Sequence, residues 1–311
     1  MENTDSSLED LQKELEEKII PSDYIHFYVL YIYEEELLKF LKNSKNIEIK
    51  YSLFPGINGL AFEEYFPYFV KKRKKEIENN PIFLKILEII QNKNYIIKNE
   101  RQLGHIRSFI NIIKNAKQKK YKKICILESD VIFSKNFSSK LKNYMNIINS
   151  TKLFYLGTND SKLASTTNFI PFNDNNIKEK LISKKIPNFD EEFIKKKEEY
   201  LYKRLLFNEK IEENDRLIKN NIYRPHYPNG TFAVIIDESI YDLILEVLEL
   251  QIFPTDILFY YIQYYLKNDW CCAYPNIVIA DVSSSYILQS RDMIKFSESR
   301  GWKLDDYISK Y

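Results

Sequence analysis

Two carboxylates separated by one residue, in Glu128-Ser129-Asp130, follow directly on the apolar run Lys123-Ile124-Cys125-Ile126-Leu127. A buried strand ending in this way sets both acids at its carboxyl end, the edge at which parallel α/β sheets bind ligands. Hard divalent cations prefer carboxylate oxygen, so Glu128 and Asp130 are candidate ligands for manganese or magnesium held against a phosphate group. In a chain with 44 acidic residues such triplets also arise as solvated loops. Placement behind a buried strand raises this one above the rest.

Other polar residues are candidates of lower rank. Asn159 and Asp160 close a second strand, Lys152-Leu153-Phe154-Tyr155-Leu156-Gly157, where they either reach sugar hydroxyls or serve an ordinary turn. His226 and Asp281 are candidate third metal ligands, set against the commoner role of such residues as hydrogen-bonded surface groups. His26 falls inside the first strand and reads as structural, whereas His105 opens the helix before the acidic strand and is open to either role. The 24 tyrosines and 20 phenylalanines could also supply sugar-stacking faces, although most must serve the core or the general surface. The basic run Lys71-Lys72-Arg73-Lys74-Lys75 lies among acids without interleaved aromatics, which favours a solvated helix face over nucleic-acid contact.

The elements that must hold these residues alternate. Residues 24–32 form an apolar, β-branched and aromatic run suited to the centre of a parallel sheet. A helix over 34–43, a strand over 47–53 and the irregular loop Phe54-Pro55-Gly56-Ile57-Asn58-Gly59 follow. Helices come next at 60–79, 81–92 and 101–119, the last with Leu103, Ile106, Ile110 and Ile113 on one face. Beyond the acidic strand the pattern predicts a helix over 137–149, strands over 152–157 and 231–236, and a helix over 238–250. A helix over 256–267, capped by Thr255, and a strand near 273–279 complete it. This order predicts an α/β, Rossmann-type mixed sheet flanked by helices. Ser6 with Glu9 forms a capping box ahead of Leu8, Leu11, Leu15 and Ile19, so residues 1–22 read as an accessory helix. The main domain then covers 23–290, with a charged helical insertion at about 173–228, and 291–311 is left as a C-terminal tail.

Composition bounds what these elements can be. With 311 residues, 44% of them hydrophobic, the chain can bury a sizeable core. Its 46 basic residues nearly cancel the acids and leave a formal charge of +2, which argues against nucleic acid or an anionic membrane as partner. The first residues are acidic and polar, and no apolar stretch reaches membrane-spanning length, so no transmembrane segment and a cytoplasmic location are expected. Cys125 and the adjacent pair Cys271-Cys272 fit neither a disulfide framework nor structural zinc. Abundant Lys, Asn, Ile and Tyr beside six glycines is the imprint of AT-rich coding sequence and suits a giant virus, for which the location becomes host cytoplasm or virion.

The segment Gly104-His105-Ile106-Arg107-Ser108, the helix behind it and Ile126-Leu127-Glu128-Ser129-Asp130-Val131-Ile132-Phe133 resemble, in order and spacing, the central signature of glycosyltransferase family 25, the lipopolysaccharide and collagen galactosyltransferase group. The loop Phe54-Pro55-Gly56-Ile57-Asn58-Gly59 is similar to that family's early loop and Leu153-Phe154-Tyr155-Leu156-Gly157 to its post-acid strand. Asn229-Gly230-Thr231-Phe232-Ala233 and Pro254-Thr255-Asp256 are similar to its distal half, so the likeness spans about 24–290. The resemblance implies a GT-A-like fold, dependence on Mn2+ or Mg2+, and inverting transfer of a hexose such as galactose or glucose. The donor would be a nucleotide sugar, with a UDP-sugar favoured, and the acceptor a glycan or protein. On this pattern Gly104, Ser108, Glu128, Ser129 and Asp130 would bind the donor, and Glu128 and Asp130 the metal. Asp160 and Thr231 would bind the acceptor, and Asp256 would accept its proton. Read by itself, Asp256 is equally a helix-start acid favoured by the macrodipole. The chain departs from the family at three places: Tyr31-Ile32-Tyr33-Glu34-Glu35-Glu36 replaces a basic cluster, Ser129 a central Asp, and Phe109 a common histidine. These departures keep open a catalytically inactive glycan- or nucleotide-sugar-binding protein. A metal-dependent phosphoryl-transfer enzyme is a third alternative, opposed by the lack of a phosphate-cradling glycine loop.

Overall fold

The computed structural model describes residues 24–45, 47–90, 95–159, 217–218, 222–223, 230–267, 269–273, 275–284, 291–300 and 302–307. The expected accessory helix at 1–22, Asp160, His226 and nearly all of the expected insertion lie outside them. In chain order the elements are β1 (His26–Tyr31), α1 (Glu34–Ser44), β2 (Tyr51–Pro55), α2 (Phe66–Glu76), α3 (Pro81–Ile90), α4 (Glu100–Lys119), β3 (Lys123–Glu128), β4 (Val131–Phe133), α5 (Phe137–Ser150) and β5 (Leu153–Tyr155). After them come β6 (Leu217–Ile218), β7 (Ile222–Tyr223), β8 (Ala233–Asp237), α6 (Tyr241–Leu248), α7 (Thr255–Leu266), β9 (Trp270–Ala273), β10 (Val278–Ala280) and α8 (Met293–Arg300).

The main sheet has the order β2-β1-β3-β8-β5-β9-β7-β6, and β10 and β4 form a separate two-stranded sheet. Six strands make the body of the main sheet, and β7 and β6 extend one edge by two residues each. Strand β1 runs parallel to β2 and β3, β8 lies antiparallel between β3 and β5, and β5 runs parallel to β9. The chain is thus an α/β protein with a mixed sheet flanked by helices, as its alternating pattern predicts. The carboxyl ends of β2, β1, β3, β5 and β9 and the amino end of β8 consequently share one edge.

Both faces of this sheet are covered. Tyr28, Leu30, Ile124 and Ile126 pack into a core with α2, α3, α4, α6 and α7, while Phe27, Val29, Cys125 and Leu127 pack into a second core with α1, α5, β4, β10 and α8. Burial on both sides is why β1 and β3 read as unbroken apolar runs instead of alternating ones. Among the described residues, no helix is long and apolar enough to cross a membrane.

Several expected boundaries are corrected. The second strand begins at Tyr51, and Ile47 and Ile49 are buried in irregular chain ahead of it. The helix expected over 60–79 divides into a 3-10 turn, Gly59–Phe62, and α2, which starts where Pro67 can occupy a first-turn position without losing a helix hydrogen bond. The strand expected near 273–279 is two strands in different sheets. Within the expected helical insertion, residues 217–218 and 222–223 are strands, with β7 paired to β9. Of residues 291–311, expected as a tail, the described stretches 291–300 and 302–307 pack into the second core: Met293 and Tyr307 are buried, and the Tyr307 hydroxyl donates to the Asn276 carbonyl at 2.7 Å.

Candidate functional site

Glu128 is the last residue of β3, and Asp130 lies in the turn that carries the chain into β4, so the acidic triplet spans the step from one sheet to the other. Helix α4 begins at the same edge, with the Asn99 side chain accepting the Gln102 amide as its cap. One turn in, His105 reaches both ways. Its Nε2 lies 3.2 Å from Glu128 Oε1 and its Nδ1 lies 2.7 Å from Thr255 Oγ1. A neutral ring that donates from Nε2 to the carboxylate accepts the Thr255 hydroxyl at Nδ1, so one ring proton satisfies both bonds.

Thr255 opens α7 but does not cap it. Pro254 occupies the cap position without a side-chain bond, and the Thr255 side chain, buried at 4% exposure, is taken by His105. Asp256 follows and accepts the Ile257 amide at 3.0 Å. Burial raises the Asp256 pKa from its ordinary value, the Ile257 amide and His105 oppose that shift, and the Glu128 charge adds to it. His105, Glu128, Thr255 and Asp256 therefore form one electrostatic unit, in which His105 and Thr255 alone are 150 residues apart.

The wall beside this unit is the loop after β2. The Gly56 amide donates to the Tyr31 carbonyl at 2.7 Å, and the Ile57 amide donates to Ser108 Oγ at 2.8 Å. Ser108 Oγ in turn donates to the Gly104 carbonyl at 2.8 Å. A Cβ on Gly104 would stand 2.6 Å from the Ile57 carbonyl oxygen and 2.7 Å from the Gly59 nitrogen, so the loop lies against bare helix backbone. Arg107 clamps the next segment, with its guanidinium 4.5 Å from the Phe62 ring centroid and its Nε donating to Gln251 Oε1 at 2.9 Å. Direct donor contacts are expected of Gly104 and Ser108 from the sequence; in the structure both residues face this loop. Ser108 is fully buried with its hydroxyl engaged as donor and acceptor, and both residues hold the loop in place.

Ser129 is likewise turned inward. Its amide donates to the Leu30 carbonyl at 2.9 Å and its hydroxyl faces Glu36 Oε2 at 3.4 Å. Burial raises the Glu36 pKa, with the Ser129 hydroxyl and backbone amides opposing. The Asp130 carbonyl accepts the Asp281 amide at 2.7 Å, which brings Asp281 to the triplet through its backbone. The Asp281 carboxylate itself accepts the amide and hydroxyl of Ser283. Among the described residues no group of three or more His, Cys, Asp or Glu side chains is arranged to hold a metal ion. Magnesium needs no such cage, because it is commonly held by one or two carboxylates together with substrate phosphates and water. Glu128, with its side chain 23% exposed, offers one such carboxylate, and Asp130 follows two residues later in the turn.

Thr231 is buried just before β8, next to Phe232, whose carbonyl accepts the Glu128 amide at 2.9 Å. The sequence singles out Glu128 and Asp256 but does not join them. Nothing in linear spacing ties His105 to residues 23 and 150 positions away, and the only signal was a histidine beside Gly104 in the segment that resembles a signature. His26 stacks on Tyr121 at 3.9 Å near the start of β1, away from the carboxyl edge. Comparison with protein-family models and with curated proteins gives no match.

Proposed function

We propose that the protein is a GT-A-like glycosyltransferase that moves a hexose, from a UDP-sugar or related nucleotide sugar, to a hydroxyl of a glycan or protein acceptor with inversion. One observation carries this reading. The pieces that separately resemble family 25, namely the helix start at Gly104-His105, the acidic triplet and Pro254-Thr255-Asp256, meet through the two bonds of His105 at the carboxyl edge of the sheet.

In this reading Asp256 is the general base. Its raised pKa makes it a stronger proton acceptor than a surface carboxylate, and the Ile257 amide orients it. The acceptor hydroxyl gives its proton to Asp256 as its oxygen bonds to the anomeric carbon. The bond from that carbon to the diphosphate oxygen breaks on the opposite face, and its electron pair leaves with the diphosphate. Glu128 and Asp130 would hold Mn2+ or Mg2+, which when bound supplies positive charge to the departing diphosphate. His105 fixes the Glu128 carboxylate, Thr255 fixes the His105 ring, and the Gly56–Gly59 loop walls the site.

The test is Asp256→Asn, assayed for sugar transfer and for hydrolysis of UDP-sugars with manganese. Turnover should fall by about 10²–10⁴, the usual worth of a positioned base, while the thermal shift induced by nucleotide persists. Unchanged turnover removes Asp256 from the base role, and a wild-type protein that neither binds nor hydrolyses any nucleotide sugar overturns the whole reading. The binding-only alternative has one observation in its favour, the Glu36 carboxylate set beneath Ser129, which adds negative charge where a diphosphate would lie. Nucleotide-sugar binding without hydrolysis would select it.

A further inference from the structure

The basic run of α2 shares a helix face with two exposed aromatic rings. Phe66, Phe69 and Ile77 turn into the core, so helical spacing sends Tyr65, Tyr68, Lys71, Lys72 and Lys75 outward, within about a third of the helix circumference. The Tyr65 and Tyr68 rings lie 5.7 Å apart, inclined at 51°, and the two residues are 44% and 60% exposed. Tyr65 is steadied by the Phe69 ring at 5.9 Å, and the Arg107 guanidinium lies 4.5 Å from the Phe62 ring centroid and 5.4 Å from that of Phe69. The cations of the run differ in what they already hold. Arg73 is engaged by the Glu249 and Leu250 carbonyls and by Glu76, and Lys72 has Glu76 at 3.8 Å. Lys71 and Lys75 are exposed and have no ion-pair partner among the described residues.

This stripe continues from the wall of the candidate site. The Gly59–Phe62 turn packs on the first turns of α4, and the Tyr65 amide donates to the Phe62 carbonyl at 3.0 Å, so Tyr65 is the first aromatic ring beyond that wall on the exposed face of α2. An exposed aromatic ring offers an apolar face to a sugar ring, and an ammonium group takes a carboxylate. Tyr68 and Lys75 stand about 10 Å apart along the helix axis, which suits a short oligosaccharide. Glu63 and Glu64 precede the stripe and Glu76 and Glu78 follow it, all exposed, so its positive charge is confined to one segment. Nucleic acid, with a phosphate on every nucleotide, would meet acids at both ends. A helix that lies in a membrane surface turns Trp, Phe or Leu outward, whereas Phe66 and Phe69 face the core. We infer that Tyr65, Tyr68, Lys71, Lys72 and Lys75 form a docking stripe for an acidic oligosaccharide, with a ring on the tyrosines and uronate carboxylates at the lysines. Its place on the acceptor side rests on the transferase reading, but its capacity to bind does not.

Isothermal titration of the full-length protein with a galacturonate oligosaccharide and with a neutral maltose oligosaccharide of equal length tests this. The acidic chain should bind about tenfold more tightly, the worth of a few exposed ion pairs, and added salt should erase the difference. The triple variant Lys71→Gln/Lys72→Gln/Lys75→Gln should lose the preference for the acid. Tyr68→Ala should weaken binding of the acidic chain by about threefold to tenfold. Tm should hold in both variants, because all four side chains are exposed. Equal binding of the two oligosaccharides, binding of neither, or full affinity in either variant would each overturn the stripe. Tighter binding of phosphatidylserine vesicles or of a single-stranded oligonucleotide than of the galacturonate chain would overturn its assignment to a glycan. UDP-sugar hydrolysis measured on the same preparations keeps the two ideas apart. Galacturonate binding without hydrolysis leaves the stripe and removes the transferase, and hydrolysis without a preference for the acid does the reverse.

Discussion

At the scale of single residues, two histidines on neighbouring elements meet opposite fates. His105 has a partner on each ring nitrogen, whereas His26 Nε2 is buried without one. Burial, with Lys50 adding repulsion, lowers the His26 pKa to about 4. The sign of the consequence follows from linkage: the unfolded chain takes up a proton near pH 6.5 that the folded chain refuses until about pH 4. Stability contributed by neutral His26 is therefore complete above pH 6.5 and is lost as pH falls toward 4, by an amount on the order of 2–3 kcal/mol. His26→Phe keeps the stack on Tyr121 and removes the proton site, so its urea-unfolding free energy should change less than that of the wild type over this window. A parallel decline in the two proteins would show that other groups govern acid stability.

At the scale of elements, the site depends on a loop and a helix that touch through backbone. Alanine in place of an interior helix glycine is ordinarily favourable by about 1 kcal/mol. At Gly104 the new methyl would meet the Ile57 oxygen, the Gly59 nitrogen and the Gly59 Cα at 2.6, 2.7 and 2.8 Å. None of these can swing aside as a side chain would, so the loop must shift as a unit. Gly104→Ala should therefore lower Tm and, on the proposed transferase reading, reduce donor hydrolysis with it, read by thermal denaturation and a hydrolysis assay. A rise in Tm with full activity would mean that the loop yields without cost. The same contact explains why α4 can carry a fully buried serine: Ser108 joins the loop amide of Ile57 to the helix carbonyl of Gly104.

At the scale of the whole molecule, the last described segment closes the fold. Tyr307 is 5% exposed, bridges to Ser134 and donates to the Asn276 carbonyl, thereby tying the end of the chain to β4 and the approach to β10. Tyr307→Ala should cost about 3 kcal/mol, in line with truncation of other buried aromatics, and would be measured as a fall in the denaturation midpoint at constant slope. A loss under about 0.5 kcal/mol, the scale of surface substitutions, would show that the segment is an appendage after all.

The sequence by itself determined the class of fold and the major runs, because buried strands, amphipathic helices and their breakers are local patterns. Residues 26–31 and 123–128 were legible as central strands from unbroken apolarity, and Leu103, Ile106, Ile110 and Ile113 as a buried helix face. The two acids at the end of β3 were legible for the same reason. Tertiary structure alone decided that β8 runs antiparallel inside the sheet, that Asp281 comes to Asp130 through strand pairing, and that His105 joins Glu128 to Thr255. It also set Gly104 and Ser108 against the loop that they support. Each of these depends on where distant segments pack, and no periodicity in a chain records which side chain a histidine will meet 150 residues later.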